Sequence, residues 1–166
     1  MADGCYGTIC ALKAKSEIVE LRPDEIFGCL KEYMNSSLDM YPPDNDGMVY
    51  GIAVQDYVAM YMNKLAEQTV PYERTDRRVF RMLWEHKKVM LARIIAVESE
   101  LKMDREVSSQ YADIVKEANA LRMMYASHCI KARYPILLTI RDRLVLLKEM
   151  ENRLLTRFIE KMDGSM

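Results

Sequence analysis

Two short polar clusters stand inside long apolar stretches and are the first places to look for chemistry. The run Glu85-His86-Lys87-Lys88 brings a carboxylate, an imidazole and two amines together. An imidazole titrates near neutrality, so His86 is a candidate general base. Spacing assigns it no nucleophile and no orienting group, and a lone histidine of this kind is ordinarily structural or on the surface. Lys87 falls on an apolar seam between Leu83 and Met90. A lysine there must snorkel to water, pair with a carboxylate or lose its charge. Glu151 holds the corresponding position on a later seam, which makes Lys87 and Glu151 a candidate buried pair. A packed stem with its ammonium in water is the more ordinary expectation for so long a side chain.

The second cluster is His128-Cys129. A thiolate needs a base, and an imidazole can supply one. Adjacent helical residues point about 100° apart, however, so these two are not a natural pair. The other cysteines, Cys5, Cys10 and Cys29, form no C-x-x-C pair and no metal-ligand spacing. Neither histidine has a glutamate three residues before it, since position 83 is leucine and position 125 tyrosine, so a di-iron bundle site is excluded. No H-E-x-x-H, phosphate-cradling glycine loop or EF-hand loop is present. No catalytic motif is complete, and no metal or cofactor is expected.

Charge is distributed unevenly over the 166 residues. Residues 1–70 carry 5 basic and 11 acidic side chains, residues 71–93 carry 7 and 3, and the whole chain has a net charge of −1. Arg74, Arg77, Arg78 and Arg81 share much of one helical face and could meet phosphates. A solvated face, or one docked on the acidic first third, fits the overall acidity better, so nucleic acid is not an expected partner. No basic stretch followed by an apolar run opens the chain, and no apolar run approaches the ~20 residues of a membrane span. Free thiols and this composition predict a reducing, cytoplasmic setting.

The elements that must position these residues follow from glycine and proline. Five of the six glycines precede residue 52, and neither glycine nor proline occurs between Pro71 and Pro135. Their absence permits long helices. Behind Thr75 as N-cap, Phe80, Leu83, Met90, Ile94, Val97 and Leu101 step by helical spacing to about Met103. Ser108 or Ser109 can cap a second helix through Tyr111, Ile114, Ala118, Leu121, Tyr125 and His128. Pro135 suits the first turn of a third, lined by Leu137, Ile140, Leu144, Leu147, Glu151, Leu154 and Phe158 and ended by Gly164. Long helices joined by short turns lie antiparallel.

The first third is mixed. Thr8–Leu12 and Ile18–Leu21 suggest a short hairpin turning near Lys15-Ser16. Asp24–Asn35 and Ile52–Gln68 read as shorter helices, with Tyr41–Gly47 a loop between them. The expected fold is mainly α, an antiparallel bundle of three long helices plus two shorter ones. It forms one domain over 1–166, divided into a mixed segment 1–47, a short helix in 48–70 and a three-helix core in 71–166. Fourteen methionines are adaptable core filler or binding surface. Tyr33, Tyr41, Tyr50, Tyr57 and Tyr61 cluster in the part with loops and short helices. Tyrosine gives contact area with a polar tip, so this part is the first choice for a ligand or partner surface.

Tyr50-Gly51-Ile52, Tyr57, Tyr61 and the run from Arg77 to Ile94 (RRVFRMLWEHKKVMLARI) resemble the C-terminal region of butirosin-biosynthesis-H-type proteins. The likeness is sharpest at Trp84-Glu85-His86-Lys87-Lys88, Met90 and Arg93-Ile94. Those proteins resemble papain-like cysteine acyltransferases of natural-product pathways. Their nucleophilic cysteine and its histidine lie in an N-terminal domain for which this chain has no room ahead of its helices. The resemblance therefore implies the helical part without the chemistry, and no catalytic residue carries over.

The expected function is a non-catalytic helical interaction or accessory module of a natural-product tailoring system. It would dock a separate catalytic subunit, a carrier protein or a peptide, and a homo-oligomer is a further expectation. The candidate contact residues are Tyr50, Tyr57, Tyr61, Trp84, His86, Lys87, Arg77 and Arg81. Two alternatives compete: a cysteine-dependent acyl- or peptidyl-transfer enzyme using Cys129 or His86, and a small-molecule binder with a pocket between the short N-terminal elements and the bundle.

Overall fold

Proline opens the first and last helices of the protein, where its missing N–H would be unpaired in any case. A computed structural model describes residues 22–36, 49–72 and 75–164. Helix α1 is Pro23–Asn35. A 3₁₀ turn, Gly51–Ala53, leads into α2, Val54–Ala66. The long helices are α3, Val79–Glu100, α4, Glu106–Lys131, and α5, Pro135–Asp163. Among the described residues the structure is mainly helical and contains no strand. The expected hairpin at Thr8–Leu12 and Ile18–Leu21, the Tyr41–Gly47 loop, Cys5, Cys10 and Arg74 lie outside the described residues.

Helix α3 packs along α4, α4 along α5, and α5 along α2, with α1 against α5. The contacts run in opposite chain directions. Glu98 meets Ser108, and Phe80 meets Tyr125. Glu106 meets Arg157, and Glu117 meets Arg143. Asp56 meets Lys148, and Asn63 meets Arg141. The sequence reading kept the second short helix apart from a three-helix core. Instead Met62 and Leu65 of α2 are buried in the same apolar cluster as Ile94, Leu121, Leu147 and Phe158.

Helix starts differ from the sequence reading for identifiable reasons. Thr75 is not an N-cap, and α3 begins at Val79. The backbone of Asp76 is tethered outside the helix: its N–H donates to Tyr61 Oη at 3.1 Å, and its carbonyl accepts from Tyr125 Oη at 2.9 Å. Helix α4 begins at Glu106, ahead of the serines expected to cap it. The buried carboxylate of Glu98 on α3 accepts the Ser108 N–H at 2.9 Å, so the cap comes from a neighbouring helix. Helix α3 stops at Glu100, three residues short of Met103, because Lys102 turns left-handed (φ 53°) and the Met103 N–H closes on the Glu98 carbonyl.

Gly51 fixes how α2 joins α1. Its φ is +61°, and a Cβ there would sit 2.2 Å from the Tyr33 carbonyl oxygen. Only glycine allows the turn to lie so close to the end of α1. The Ala53 N–H donates to Ser36 Oγ at 3.1 Å and completes the junction.

Candidate binding site

Four side chains from four helices meet at one carboxylate on the fifth. Glu151 on α5 accepts from Lys87 Nζ of α3 at 2.6 and 2.8 Å. It also accepts from Gln55 Nε2 of α2 at 2.6 Å and from Tyr111 Oη of α4 at 2.5 Å. Tyr33 Oη of α1 donates to it at 3.3 Å and accepts from Lys87 Nζ at 2.9 Å. Lys87, Tyr111 and Glu151 are fully buried, and Gln55 nearly so. Lys87 therefore does not snorkel as the ordinary expectation had it. Its three ammonium protons have three acceptor atoms within reach, and both oxygens of Glu151 are engaged.

Burial pulls the Lys87 amine below the usual lysine range, while the Glu151 carboxylate opposes that shift. Burial and the same carboxylate push the phenols of Tyr33 and Tyr111 well above theirs. Both phenols are thus proton donors at any ordinary pH. The cluster is a closed ion pair bounded by hydroxyls and an amide, and it lacks a free base. One atom is left over: Gln55 Oε1 is buried and has no hydrogen-bond partner among the described residues.

Lys87, Gln55 and Tyr33 form one wall of a cavity of about 410 Å³ between α2 and α3, with Gly51, Val54, Val58, Val79, Met82, Leu83 and His86 as the remaining lining. It lies where α2 and α3 fail to close on each other. His86 lies on an exposed edge and stacks on Tyr33, with ring centroids 5.3 Å apart and planes at 28°. Burial of its inner side, then the Lys87 charge, lowers its pKa from 6.5, so the ring is neutral at pH 7. The same stacked pair borders a second cleft of about 290 Å³ against α1, which Glu25, Ile26, Cys29, Leu30, Met90 and Arg93 complete.

The structure separates the other candidate residues. Tyr57 is exposed at a shallower cleft that it shares with Val49, Val54, Val58, Tyr61, Asp76 and Val79. Tyr50 is half-buried just before the Gly51 turn. Trp84 is clasped between Lys88 Nζ, 3.9 Å from its ring centroid, and the Arg122 guanidinium at 4.5 Å, a cation–π arrangement outside the α2–α3 cavity. Arg81 pairs with Glu85 at 2.9 Å on the surface, Arg78 with Asp76, and Arg77 is exposed. Arg78 and Arg81 are thus each engaged by a carboxylate on their own stretch of chain.

His128 and Cys129 are both buried, and the geometry does not join them as base and nucleophile. The imidazole lies among the rings of Tyr125, Tyr72 and Tyr134, and neither ring nitrogen has a hydrogen-bond partner among the described residues. Burial pushes the Cys129 thiol up, away from thiolate character. Its carbonyl is occupied by the Tyr72 hydroxyl.

Gln55 is the member of the site that the sequence reading passed over, and Tyr33 and Tyr111 entered it only as one of several tyrosines and as a seam residue. The signal for Gln55 was there: it precedes Ala59 and Met62 on the buried face of α2 as a polar residue on an apolar seam, the pattern that singled out Lys87 and Glu151.

Among the described residues no cluster of three or more potential metal ligands occurs, and no helix is long and apolar enough to cross a membrane. Compared with protein-family models, curated proteins and solved structures, the chain matches none.

Proposed function

We propose that this protein is a non-catalytic helical binding module whose receptor site is the α2–α3 cavity. The observation that supports this reading is the closed network at the cavity wall. Lys87 and Glu151 satisfy each other, with Gln55, Tyr33 and Tyr111 completing the shell. That network offers a bound molecule no free nucleophile or base of its own, and His86 is the remaining titratable group on the lining. Apart from His86 the other walls are apolar, and a cavity of about 410 Å³ falls within the roughly 300–1,000 Å³ of small-molecule sites. Of the three readings of the sequence, a small-molecule binder is thus favoured. Its architecture is an antiparallel helical bundle in which α2 completes the core of the three long helices.

A place beside a catalytic partner in a natural-product tailoring system, in a reducing cytoplasm, fits the same reading. Cys29 and Cys129 are free thiols. One observation favours a protein partner or a second copy as well: Leu138, Val145, Leu146 and Met150 stand exposed on one side of α5.

Nile red, an uncharged apolar dye, tests the cavity. Its emission should rise and saturate on titration with the protein, and Val58→Trp, which fills the cavity, should abolish the rise. Equal emission with both proteins would place the dye elsewhere and count against the cavity as a receptor.

A further inference from the structure

We infer that the cleft between α1 and α3 binds a small monocarboxylate with a short apolar body. The carboxylate docks on Arg93, and the body lies over Ile26, Leu30 and Met90 toward the stacked rings of Tyr33 and His86. The cleft shares only Tyr33 and His86 with the α2–α3 cavity, so it is a site of its own whether or not that cavity is filled.

Helical spacing builds the cleft. Ile26, Leu30 and Tyr33 recur at steps of four and three on one face of α1, and His86, Met90 and Arg93 do the same on α3. The two faces enclose about 290 Å³. Leu30 and Met90 are buried and supply an apolar floor. The Tyr33–His86 stack stands at one end. Arg93 follows His86 by two helical turns, about 10 Å along α3.

Charge selects the head group. Arg93 is exposed and makes no hydrogen bond or ion pair among the described residues. The charges around it are already held. Glu25, on the same lining, accepts from Arg22 Nη1 at 2.5 Å. Glu85 is engaged by Arg81, and Lys87 by Glu151. Burial of its inner side keeps the His86 ring neutral at pH 7, so it adds no second cation. The cleft therefore presents one unmatched positive charge beside apolar surface. A guanidinium fork fits a carboxylate in shape as well as charge. A dianion such as a phosphate monoester would keep one charge unmatched and face Glu25. An ammonium would face Arg93, with Glu25 already engaged.

The experiment is nuclear magnetic resonance of the protein at pH 7.5, titrated with hexanoate, 1-hexanol and hexylamine. Hexanoate should give saturable shifts at the methyls of Ile26, Leu30 and Met90 and at the His86 ring. It should bind about fivefold more tightly than the alcohol or the amine, the size an exposed ion pair reaches. Arg93→Gln, at an exposed position, should keep the fold and remove that preference, and Arg81→Gln should leave it intact. The alcohol or the amine binding as tightly as hexanoate would overturn the head-group assignment. A preference that survives Arg93→Gln, or that Arg81→Gln removes equally, would overturn the role of Arg93. Hexanoate shifts centred on Val54, Val58, Val79 and Leu83 would place the acid in the α2–α3 cavity, overturning this inference while supporting the receptor reading. No saturable shift at either set of methyls would overturn the α1–α3 site.

Discussion

Lys87 Nζ lies 2.6 Å from Glu151 Oε2 at a point where neither side chain reaches solvent. The two residues are 64 positions apart, on α3 and α5. Breaking such a pair leaves one charge buried alone, which costs about 3–5 kcal/mol, whereas replacing both partners by apolar residues is often neutral or stabilising. Lys87→Met and Glu151→Leu should each destabilise by about that amount, and the double variant should recover most of the loss. Urea unfolding of the four proteins reads the cycle. Additive losses in the double variant would mean that the two groups are not coupled.

Glycine substitutions should separate geometry from propensity. Gly51→Ala forces a left-handed alanine against the Tyr33 carbonyl, and the backbone alone costs roughly 1–2 kcal/mol before the clash is relieved. Gly28, inside α1, has no neighbour within 4 Å of an added Cβ, so Gly28→Ala should stabilise by about 0.5–1 kcal/mol. Thermal unfolding should move down for the first and up for the second. A neutral Gly51→Ala would contradict the tight α1–α2 junction.

His128 should be dispensable to stability. Its ring packs among tyrosines with both nitrogens unpaired among the described residues, and an unsatisfied buried polar group costs about 1–3 kcal/mol. His128→Phe keeps the ring contacts and removes the polar atoms, so it should be neutral or stabilising by up to about 2 kcal/mol. A clear loss of stability in denaturant unfolding would show that the imidazole has a partner in solution.

The seams of the long helices were legible because a charged residue at an apolar spacing is a conflict that only pairing or exposure resolves. Lys87 and Glu151 stand out on this ground, and Pro135 opens α5 as its missing N–H suits, whereas Gly164 follows the last residue in an ordinary right-handed conformation (φ −77°) that any residue adopts. What decided the pair was invisible locally: Gln55, Tyr33 and Tyr111 come from three other helices and complete a shell that makes burial tolerable. Helix starts failed for the same reason. Thr75 and Ser108 have cap chemistry, but Tyr61, Tyr125 and Glu98, distant in sequence, settle where those helices begin. The cavity is likewise a gap between α2 and α3, and no run of residues encodes a gap.

His86 gives the site a pH dependence whose sign follows from its surroundings. Burial, then Lys87, lowers its pKa below the 6.5 of an unfolded chain. The folded state then binds fewer protons than the unfolded state below pH 6.5, so this contribution is fully present above pH 6.5 and declines as pH falls through the folded value. Nuclear magnetic resonance titration of the His86 ring should give a midpoint below 6.5, and His86→Gln should flatten the acid side of the stability profile. A midpoint above 6.5 would mean that a carboxylate, not burial, governs the ring.

The most direct test of the central claim is methyl-resolved nuclear magnetic resonance of the protein titrated with 1-octanol. If the α2–α3 cavity is the receptor, saturable shifts should appear at the methyls of Val54, Val58, Val79 and Leu83, which line it. Leu138, Val145 and Leu146, exposed on α5, should stay where they are. Shifts centred on the α5 face, or none that saturate at the cavity, would contradict the claim.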